Sequence, residues 1–303
     1  MKLAQATFLG VRGLSDETFD FTDRSGRLPS NFVLVTGPSA SGKTRLLEGI
    51  IMAKEAVAPY AAGASVEGWH RDGVQAAKVV LNWWLNPEEQ AASGSNEELV
   101  TTEAILREDG IQVDADEGVL TVLERYRHDD AFGKVEYFPE SRRLLAYGPA
   151  HGTGEMEQSS LRLETDVRKY GFVPRFIQEL VRQPRKQTEF AERLARLSPT
   201  LRYAPGEHAE DCFWSNGGAP VRYHALSSSE ADAVIFAATS IMLGLSSSVV
   251  LIDRPDLHVG FDRLAPWLAA LSTLGSDNQI IAASPNPAIA NGVEGAKVIT
   301  LRS

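Results

Sequence analysis

The stretch GPSASGKT, residues 37–44, constrains the fold of this chain more than any other feature. It matches the pattern G-x-x-x-x-G-K-[ST] and follows the apolar run NFVLVT, residues 31–36, which is typical of a buried parallel strand. The residues after it, TRLLEGIIMAKEAVA, have helical spacing of apolar positions. A strand, a glycine-rich turn and a helix in this order form the setting in which the pattern binds phosphate. A chance glycine-serine turn is the alternative.

The residue types in this stretch suit a bound polyphosphate with Mg²⁺. The glycines let backbone N–H groups and the helix N-terminus face the phosphates, Lys43 can reach the β- and γ-phosphates, and the Thr44 hydroxyl can bind Mg²⁺. The chain contains no N-K-x-D, the motif with which G proteins read guanine, so ATP is favoured over GTP. The candidate nucleotide-binding residues here are Gly37, Pro38, Ser39, Ala40, Ser41, Gly42, Lys43, Thr44 and Arg45.

A capped helix and an acidic strand end follow in the last third of the chain. In HALSSSEADAVIFAATSIM, Ser227 and Glu230 have the spacing of a capping box. Such a helix N-terminus can bind an anion, or it can simply belong to a well-capped helix. The next strand, VVLID, ends in Asp253, whose carboxylate can hold the water shell of Mg²⁺. The position of the helix just before this strand makes both segments candidates for the same site.

Strand and helix patterns alternate along most of the chain, which predicts an α/β protein with a mostly parallel sheet, an N-terminal antiparallel lobe and a helical insertion. Residues 86–118 are polar and turn-rich and are predicted to form an edge excursion or loop, and residues 148–160 a hinge. In the insertion, Pro174 is expected to start one helix that Pro184 stops, and Thr188 to cap the next. The predicted divisions are 1–160 for the N-terminal lobe, 161–205 for the insertion and 206–303 for the C-terminal lobe.

The charge of the chain argues against a surface that binds nucleic acid everywhere, because the formal net charge is −10. The segment from Arg162 to Arg202 is nevertheless basic, with ten Lys/Arg against five Asp/Glu. It is a candidate DNA contact, although solvated helix surfaces are the simpler interpretation. The single cysteine, Cys212, excludes an internal disulfide framework. With no signal-peptide pattern and no apolar run of about 18 residues, we expect a cytoplasmic protein without a membrane partner.

Taken together, these segments resemble the ATP-binding-cassette (ABC) ATPases, and more closely the branch of SMC and RecF proteins with its AAA-type bacterial relatives. The opening FLGVRGLSDETFDF resembles the first strands of that branch, and GPSASGKT its Walker A loop. LSSSE resembles the signature motif, and VVLIDRPDLH the Walker B segment. QIIAASP falls where the strand before the switch histidine belongs. The resemblance covers roughly residues 1–60 and 221–303 and implies a single P-loop NTPase head.

The resemblance implies how such a head works. Two ATP molecules lie between two heads, each held by the Walker A loop of one subunit and the signature helix of the other, so a homodimer forms on ATP binding. Lys43 and Thr44 would bind phosphate and Mg²⁺, and Asp253 would hold the metal. Ser227 would touch the γ-phosphate bound by the other subunit. Arg12 matches a basic residue near the nucleotide.

Several positions depart from the family pattern, among them the two that position and polarise the attacking water. Arg254 stands where the family has the glutamate that activates water, and residues 282–285, Ala-Ala-Ser-Pro, replace Thr-His-Ser-Pro. Ser229 replaces the signature glycine, and Glu140 is the candidate for the position of the Q-loop glutamine and for a metal ligand. An arginine cannot accept a proton at neutral pH, so Arg254 cannot be a general base, whereas Asp256 in the same loop can. These changes predict ATP binding with weak or lost hydrolysis.

Two interpretations of Arg254 stay open from the sequence. It can pair with Asp256 or another neighbouring acid, or its charge can screen the γ-phosphate and favour a long-lived ATP state.

Three functions are compatible with the sequence. The first is an ATP-gated head that acts with nucleic acid or a partner enzyme in repair, chromosome maintenance or defence. The second is a nucleotide-dependent scaffold or sensor that hardly hydrolyses ATP. The third and least favoured is the nucleotide-binding subunit of a membrane transporter. The sequence contains no motif for a nuclease, so a nuclease or another effector would be a separate partner protein.

Overall fold

The computed structural model describes residues 1–60, 64–65, 67–125, 132–145, 161–205, 212–215 and 217–302. The hinge predicted for 148–160 lies outside the described residues. The strands are β1 (Lys2–Leu9), β2 (Glu17–Asp20), β3 (Phe32–Thr36), β4 (Ala77–Trp84), β5 (Leu99–Arg107), β6 (Gly110–Ala115), β7 (Val135–Phe138), β8 (Leu201–Tyr203), β9 (Phe213–Ser215), β10 (Pro220–Val221), β11 (Val249–Asp253), β12 (Gln279–Ala283) and β13 (Lys297–Thr300). The helices are α1 (Lys43–Val57), α2 (Pro87–Ser93), α3 (Glu117–Leu123), α4 (Val173–Leu180), α5 (Pro184–Leu197), α6 (Ser228–Met242) and α7 (Leu264–Leu271).

A parallel sheet of five strands organises the molecule, in the order β13-β3-β12-β11-β7. β3, β11 and β12 are buried at every position, as expected for strands covered on both faces. Because the strands run parallel, the carboxyl ends of β3, β12, β11 and β7 meet at one edge. The loops that follow these strands are therefore brought together in space. This confirms the predicted α/β class with a mostly parallel sheet.

The N-terminal part forms a second, antiparallel sheet in the order β2-β1-β4-β5-β6. Of the two alternatives predicted for residues 86–118, the loop is wrong, because α2, β5, β6 and the start of α3 lie there. The edge excursion fits, since β5 and β6 lie at one edge of this sheet. β5 buries alternate residues, and Arg107 pairs with Gly110 across a tight turn to β6. The acidic, turn-rich composition of this segment hid a period-two pattern that is typical of a half-buried hairpin.

The parallel sheet separates two hydrophobic cores. In β3, Val33 and Val35 point into the core shared with α1 and the antiparallel sheet, whereas Phe32 and Leu34 point into the core shared with α4, α5, α6 and α7. This alternation places α1 between the two sheets. The loop before α1 is consequently held from both sides.

The helical insertion contains α4 and α5. Pro174 lies in the first turn of α4, which buries Phe176 and Ile177 as predicted. The predicted start of the second helix at Thr188 is wrong, because α5 begins at Pro184 and the Thr188 hydroxyl donates to the carbonyl of Pro184 inside the helix. A proline with its fixed φ begins a helix as readily as it ends one. The three divisions predicted from the sequence stay a prediction.

None of the helices in the described part of the chain combines the length and the apolar character that crossing a bilayer requires.

Candidate functional site

The loop 37–44 has the backbone geometry that its glycines allow. Gly37 has a φ of 145° and Gly42 a φ of 92°, both in the region that favours glycine. A Cβ at Gly37 would stand 2.6 Å from the carbonyl oxygen of Leu301, so a side chain has no room there. α1 begins directly after Gly42 without a side-chain cap or an acidic residue in its first turn. Its first N–H groups therefore face the loop and not a carboxylate.

Lys43 folds back over this loop. Its ammonium donates to the carbonyl of Gly37 at 3.0 Å, to the hydroxyl of Ser41 at 3.2 Å and to the carbonyl of Pro38. Burial lowers the pKa of Lys43, and the nearby charge of Asp253 opposes that shift. The cation is thus held at the mouth of the loop, where an anion would meet it.

Thr44 and Asp253 meet across the edge of the parallel sheet. The Thr44 hydroxyl donates to Asp253 Oδ2 at 2.8 Å, although 209 positions separate the two residues. Asp253 is the last residue of β11, two strands away from β3 in the sheet. Parallel pairing brings both side chains to the same edge, so the two residues that the sequence assigned to Mg²⁺ lie next to each other.

The Asp253 carboxyl is buried, with 3% of the residue exposed. Burial raises its pKa and the hydrogen bond from Thr44 opposes that rise, while the charge of Glu140 adds to it. A cation between Thr44 and Asp253 would replace the missing hydration of this carboxylate. A hydroxyl and a carboxylate oxygen are hard ligands of the kind that Mg²⁺ uses together with phosphate and water.

Arg254 lies between two acids. Its Nη1 is 3.5 Å from Glu140 Oε1 and its Nε is 3.5 Å from Asp256 Oδ1. Its backbone has a φ of 51°, and its N–H donates to the carbonyl of Ala283 at 2.8 Å. The hypothesis that Arg254 pairs with neighbouring acids therefore fits the geometry.

Asp256 also contacts Ser284, the residue that directly follows β12. The hydroxyl of Ser284 donates to Asp256 Oδ1 at 2.6 Å, and the N–H of Ser284 donates to Val35. Ala283, at the position of the switch histidine, is fully buried and presents only a methyl group. Ser284 was not among the sequence candidates, although its place directly after a buried strand was a usable signal.

Ser227 begins α6 as the capping box predicts. Its hydroxyl accepts from the N–H of Glu230, whose carboxylate in turn accepts from the Ser227 N–H at 2.8 Å. Ser227 is exposed. Its neighbour Ser228 lines a cavity of about 730 Å³ and Ser229 lines one of about 180 Å³.

The loop 37–44 opens onto a different cavity, of about 530 Å³. Neither of the cavities at Ser228 and Ser229 shares a lining residue with it. In the described part of the chain, the start of α6 and the loop 37–44 therefore line separate cavities.

Arg12 and Arg45 form one wall of the cavity at the loop. The Arg45 guanidinium stacks 3.8 Å from the centroid of the Trp69 ring and donates to the carbonyl of Arg12 at 3.1 Å. Arg12 itself is exposed, and its N–H donates to the carbonyl of Trp69 at 2.9 Å. This wall is cationic and aromatic, which suits a phosphate or a base. Trp69 had no sequence signal, because nothing in its local pattern places it beside α1.

Arg142 and Asp232 are a second pair that sequence reasoning missed. Their side chains are 0% and 2% exposed, and Arg142 Nη2 is 3.3 Å from Asp232 Oδ2. Arg142 also donates to the backbone carbonyl of Asp253 at 2.7 Å. Only the tertiary structure shows that this arginine is buried, because its local sequence is that of an ordinary polar turn.

The fold is that of SMC head domains and RecF. An SMC head solved with the C-winged helix domain of ScpA superposes with a TM-score of 0.61 at 14% identity, over 99% of this chain and 94% of that one. The SMC head domain from Thermotoga maritima gives 0.54 at 15% identity, over 97% and 93%. The recombination mediator protein RecF gives 0.53 at 13% identity, over 98% and 95%. The sequence matches no protein-family model and no curated protein.

Proposed function

We propose that this protein binds Mg-ATP at the loop 37–44 and dimerises around it, as an ATP-gated module with slow hydrolysis. The observation that carries the proposal is the hydrogen bond from Thr44 to Asp253, which joins two predicted magnesium ligands from distant parts of the chain. The likeness to SMC heads and RecF supports the same function at the level of the fold.

Each residue of the site would have a distinct task in binding. The N–H groups at the start of α1 and the ammonium of Lys43 would neutralise the phosphates. Thr44 and Asp253 would hold Mg²⁺, whose charge would offset the negative charge on the phosphates. Glu140 lies near enough to raise the pKa of Asp253, and we retain it as a candidate outer ligand of the metal. Arg12 and Arg45 would line the rest of the nucleotide cavity.

The separation of Ser227 from the loop 37–44 supports a site shared by two chains. The exposed start of α6 has hydroxyl groups from Ser227 and Ser229, which are 3.3 Å apart. Because the cavities beside it are distinct from the cavity at the loop, these groups are free to face the nucleotide of a second copy. An isologous homodimer would then enclose two nucleotides.

Slow hydrolysis follows from the chemistry at β11 and β12. Arg254 lacks a basic lone pair, and Ala283 cannot bond to a phosphate or a water. Asp256 is an acid in the loop that follows β11, but its carboxylate already accepts a hydrogen bond from Ser284 and faces Arg254. A general base contributes about 10²–10⁴ in rate, so the loss of the glutamate alone predicts slow turnover. These observations equally favour the second candidate, a scaffold or sensor that does not hydrolyse ATP.

We place the protein in a DNA-related or defence complex, with DNA or an effector such as a nuclease as the partner. The basic insertion is smaller than the sequence suggested, because Arg162 and Lys169 are buried against Glu136. A DNA contact would instead use its exposed cations, which are Arg168, Arg175, Arg182, Arg185, Lys186, Arg196 and Arg202. A transporter subunit remains the least favoured function.

The test of nucleotide binding is calorimetry with Mg-ATP on the parent protein and on Lys43→Ala. We expect the affinity to fall about tenfold to a hundredfold, since a charge-assisted contact to phosphate is lost. Lys186→Ala removes an exposed lysine from α5 and is the matched control. Equal affinity in Lys43→Ala and the parent would refute the assignment of the loop.

A further inference from the structure

Arg142 connects two ends of the proposed site through one buried side chain. It lies in the turn that follows β7, and β7 pairs with β11 as far as Phe138 and Ile252. Its side chain is 0% exposed. Nη1 donates to the carbonyls of Pro139 at 3.0 Å and Asp253 at 2.7 Å. One half of the guanidinium is thus bonded to the end of β11.

The other half of the guanidinium faces α6. Nη2 donates to the carbonyl of Arg254 at 2.7 Å and to the carboxylate of Asp232 at 3.3 Å. Asp232 lies near the N-terminus of α6, the helix that Ser227 caps. It also faces His258, with Nδ1 at 3.4 Å from Oδ2. A single planar fork therefore spans the strand that carries Asp253 and the helix that carries Ser227.

The chemistry of this contact requires arginine. A buried cation needs partners for its charge, and the guanidinium directs its donors along fixed directions in one plane. Both Nη1 and Nη2 have such partners, whereas Nε has none among the described residues. A lysine ammonium at this place would keep the charge but lose the planar fork, whose two terminal nitrogens donate to the carbonyls of Asp253 and Arg254 and to the carboxylate of Asp232. The geometry sets the distance between β11 and α6 more strictly than apolar packing alone would.

We propose that Arg142 is a positioning residue that couples the metal-binding end of β11 to the start of α6. Through it, the placement of Asp253 in one copy determines whether Ser227 can engage the nucleotide of a second copy. The coupling rests on the proposed function. In this proposal Arg142 and Asp232 affect ATP-driven self-association without contacting the nucleotide themselves.

The experiment compares Arg142→Lys, Asp232→Asn and the control Arg162→Lys. Arg162 is an equally buried arginine, 1% exposed, whose Nε is 2.8 Å from the carboxylate of Glu136 on β7. Three quantities are measured for each: the melting temperature without nucleotide, the ATP affinity with and without Mg²⁺, and the dissociation constant of the dimer in Mg-ATP.

We expect the two members of the pair to fail differently. Asp232→Asn leaves the three carbonyl bonds of Arg142, so its Mg-ATP affinity should stay within about threefold of the parent while its dimer weakens about tenfold. Arg142→Lys should also lose about tenfold of the Mg²⁺-dependent gain in ATP affinity. Arg162→Lys should lower the melting temperature without changing either the Mg²⁺ gain or the dimer.

Two results would overturn the coupling. One is a dimer dissociation constant in Asp232→Asn equal to that of the parent. If Arg142→Lys does not fold, the result for Asp232→Asn alone tests the coupling. The other is a lower melting temperature as the only change in Arg142→Lys and Asp232→Asn, as expected for Arg162→Lys. Arg142 would then have a merely structural role. A parent protein that binds no Mg-ATP or stays monomeric in it would contradict the proposed function itself, and that result is distinct from any result on the variants.

Discussion

The hydroxyl of Thr44 donates to the carboxylate of Asp253 across the edge of the parallel sheet, at 2.8 Å. Thr44 is exposed at the start of α1, whereas Asp253 is buried at the end of β11. The pair therefore joins the hydroxyl of an exposed residue to a carboxylate that has lost most of its hydration. A cation beside such a buried carboxylate stabilises its charged form more than it would stabilise a hydrated carboxylate.

Thr44→Val should lower the Mg²⁺-dependent part of ATP affinity by about tenfold, because valine keeps the shape of threonine and removes the hydroxyl. Thr44→Ser should stay close to the parent. Calorimetry with and without Mg²⁺ measures the difference. Thr239→Val is the matched control, because it removes a buried hydroxyl of α6 that has no hydrogen-bond partner among the described residues. An unchanged Mg²⁺ dependence in Thr44→Val would show that the metal is held elsewhere.

Phosphate release by the parent protein should be well below about 1 s⁻¹, the low end of ordinary enzyme rates. Arg254→Glu alone should raise it only modestly, since Ala283 still lacks the histidine. The variant also places a third carboxylate between Glu140 and Asp256, so its melting temperature should fall below that of Arg254→Gln.

The double variant, Arg254→Glu with Ala283→His, should turn over ATP faster than Arg254→Glu. Because Ala283 is fully buried, a histidine there can destabilise the fold, so the melting temperature of the double variant is measured together with its rate. A parent enzyme that releases phosphate at tens per second would show that a different residue activates water.

The stability of the protein should rise with pH above neutrality because of Lys54. Burial lowers the pKa of this lysine to about 7, from an ordinary value of 10.5, and its partner Glu55 opposes the shift. Between these two values the unfolded chain binds a proton that the folded chain does not, so the free energy of unfolding increases with pH.

Between pH 7 and pH 9 the contribution of Lys54 is about 2 kcal/mol. Lys54→Met should remove this part of the rise, whereas the exposed control Lys186→Met should keep it. Thermal unfolding at both pH values measures the difference. A rise of the same size in Lys54→Met and the parent would contradict the assignment.

The local parts of the site could be predicted from the sequence, and the long-range parts could not. The loop 37–44 and the cap at Ser227 depend on residues close in sequence, and both have the predicted backbone geometry. The approach of Thr44 to Asp253 follows from the parallel arrangement of β11, which Asp253 ends, and β3, which precedes the loop before Thr44. The buried bonds of Arg142 depend on where β7, β11 and α6 meet, and no local pattern specifies that.

The fold was mispredicted where composition and periodicity disagree. In β5, Val100, Thr102, Ala104 and Leu106 are buried and their neighbours carry polar groups, yet the surrounding acidic residues made the segment look like a loop. The sequence pattern predicts that Pro184 ends a helix, whereas in the structure it begins α5. In both cases tertiary contacts decide between two local structures that the residues permit equally.

The central claim is that ATP joins two copies of this chain through Ser227. Sedimentation of the parent protein with and without Mg-ATP, with phosphate release measured in the same preparation, tests it most directly. We predict a monomer without nucleotide, a dimer with Mg-ATP, and slow phosphate release from the dimer. Ser227→Arg should bind ATP and stay monomeric, because the bulky cation occupies the proposed contact.

Asn86→Arg is the control, because it breaks a similar capping box at the start of α2. This variant should still dimerise, which would show that Ser227→Arg acts on the dimer contact and not through the loss of a helix cap. A parent protein that binds Mg-ATP and remains a monomer at every concentration tested would contradict the account.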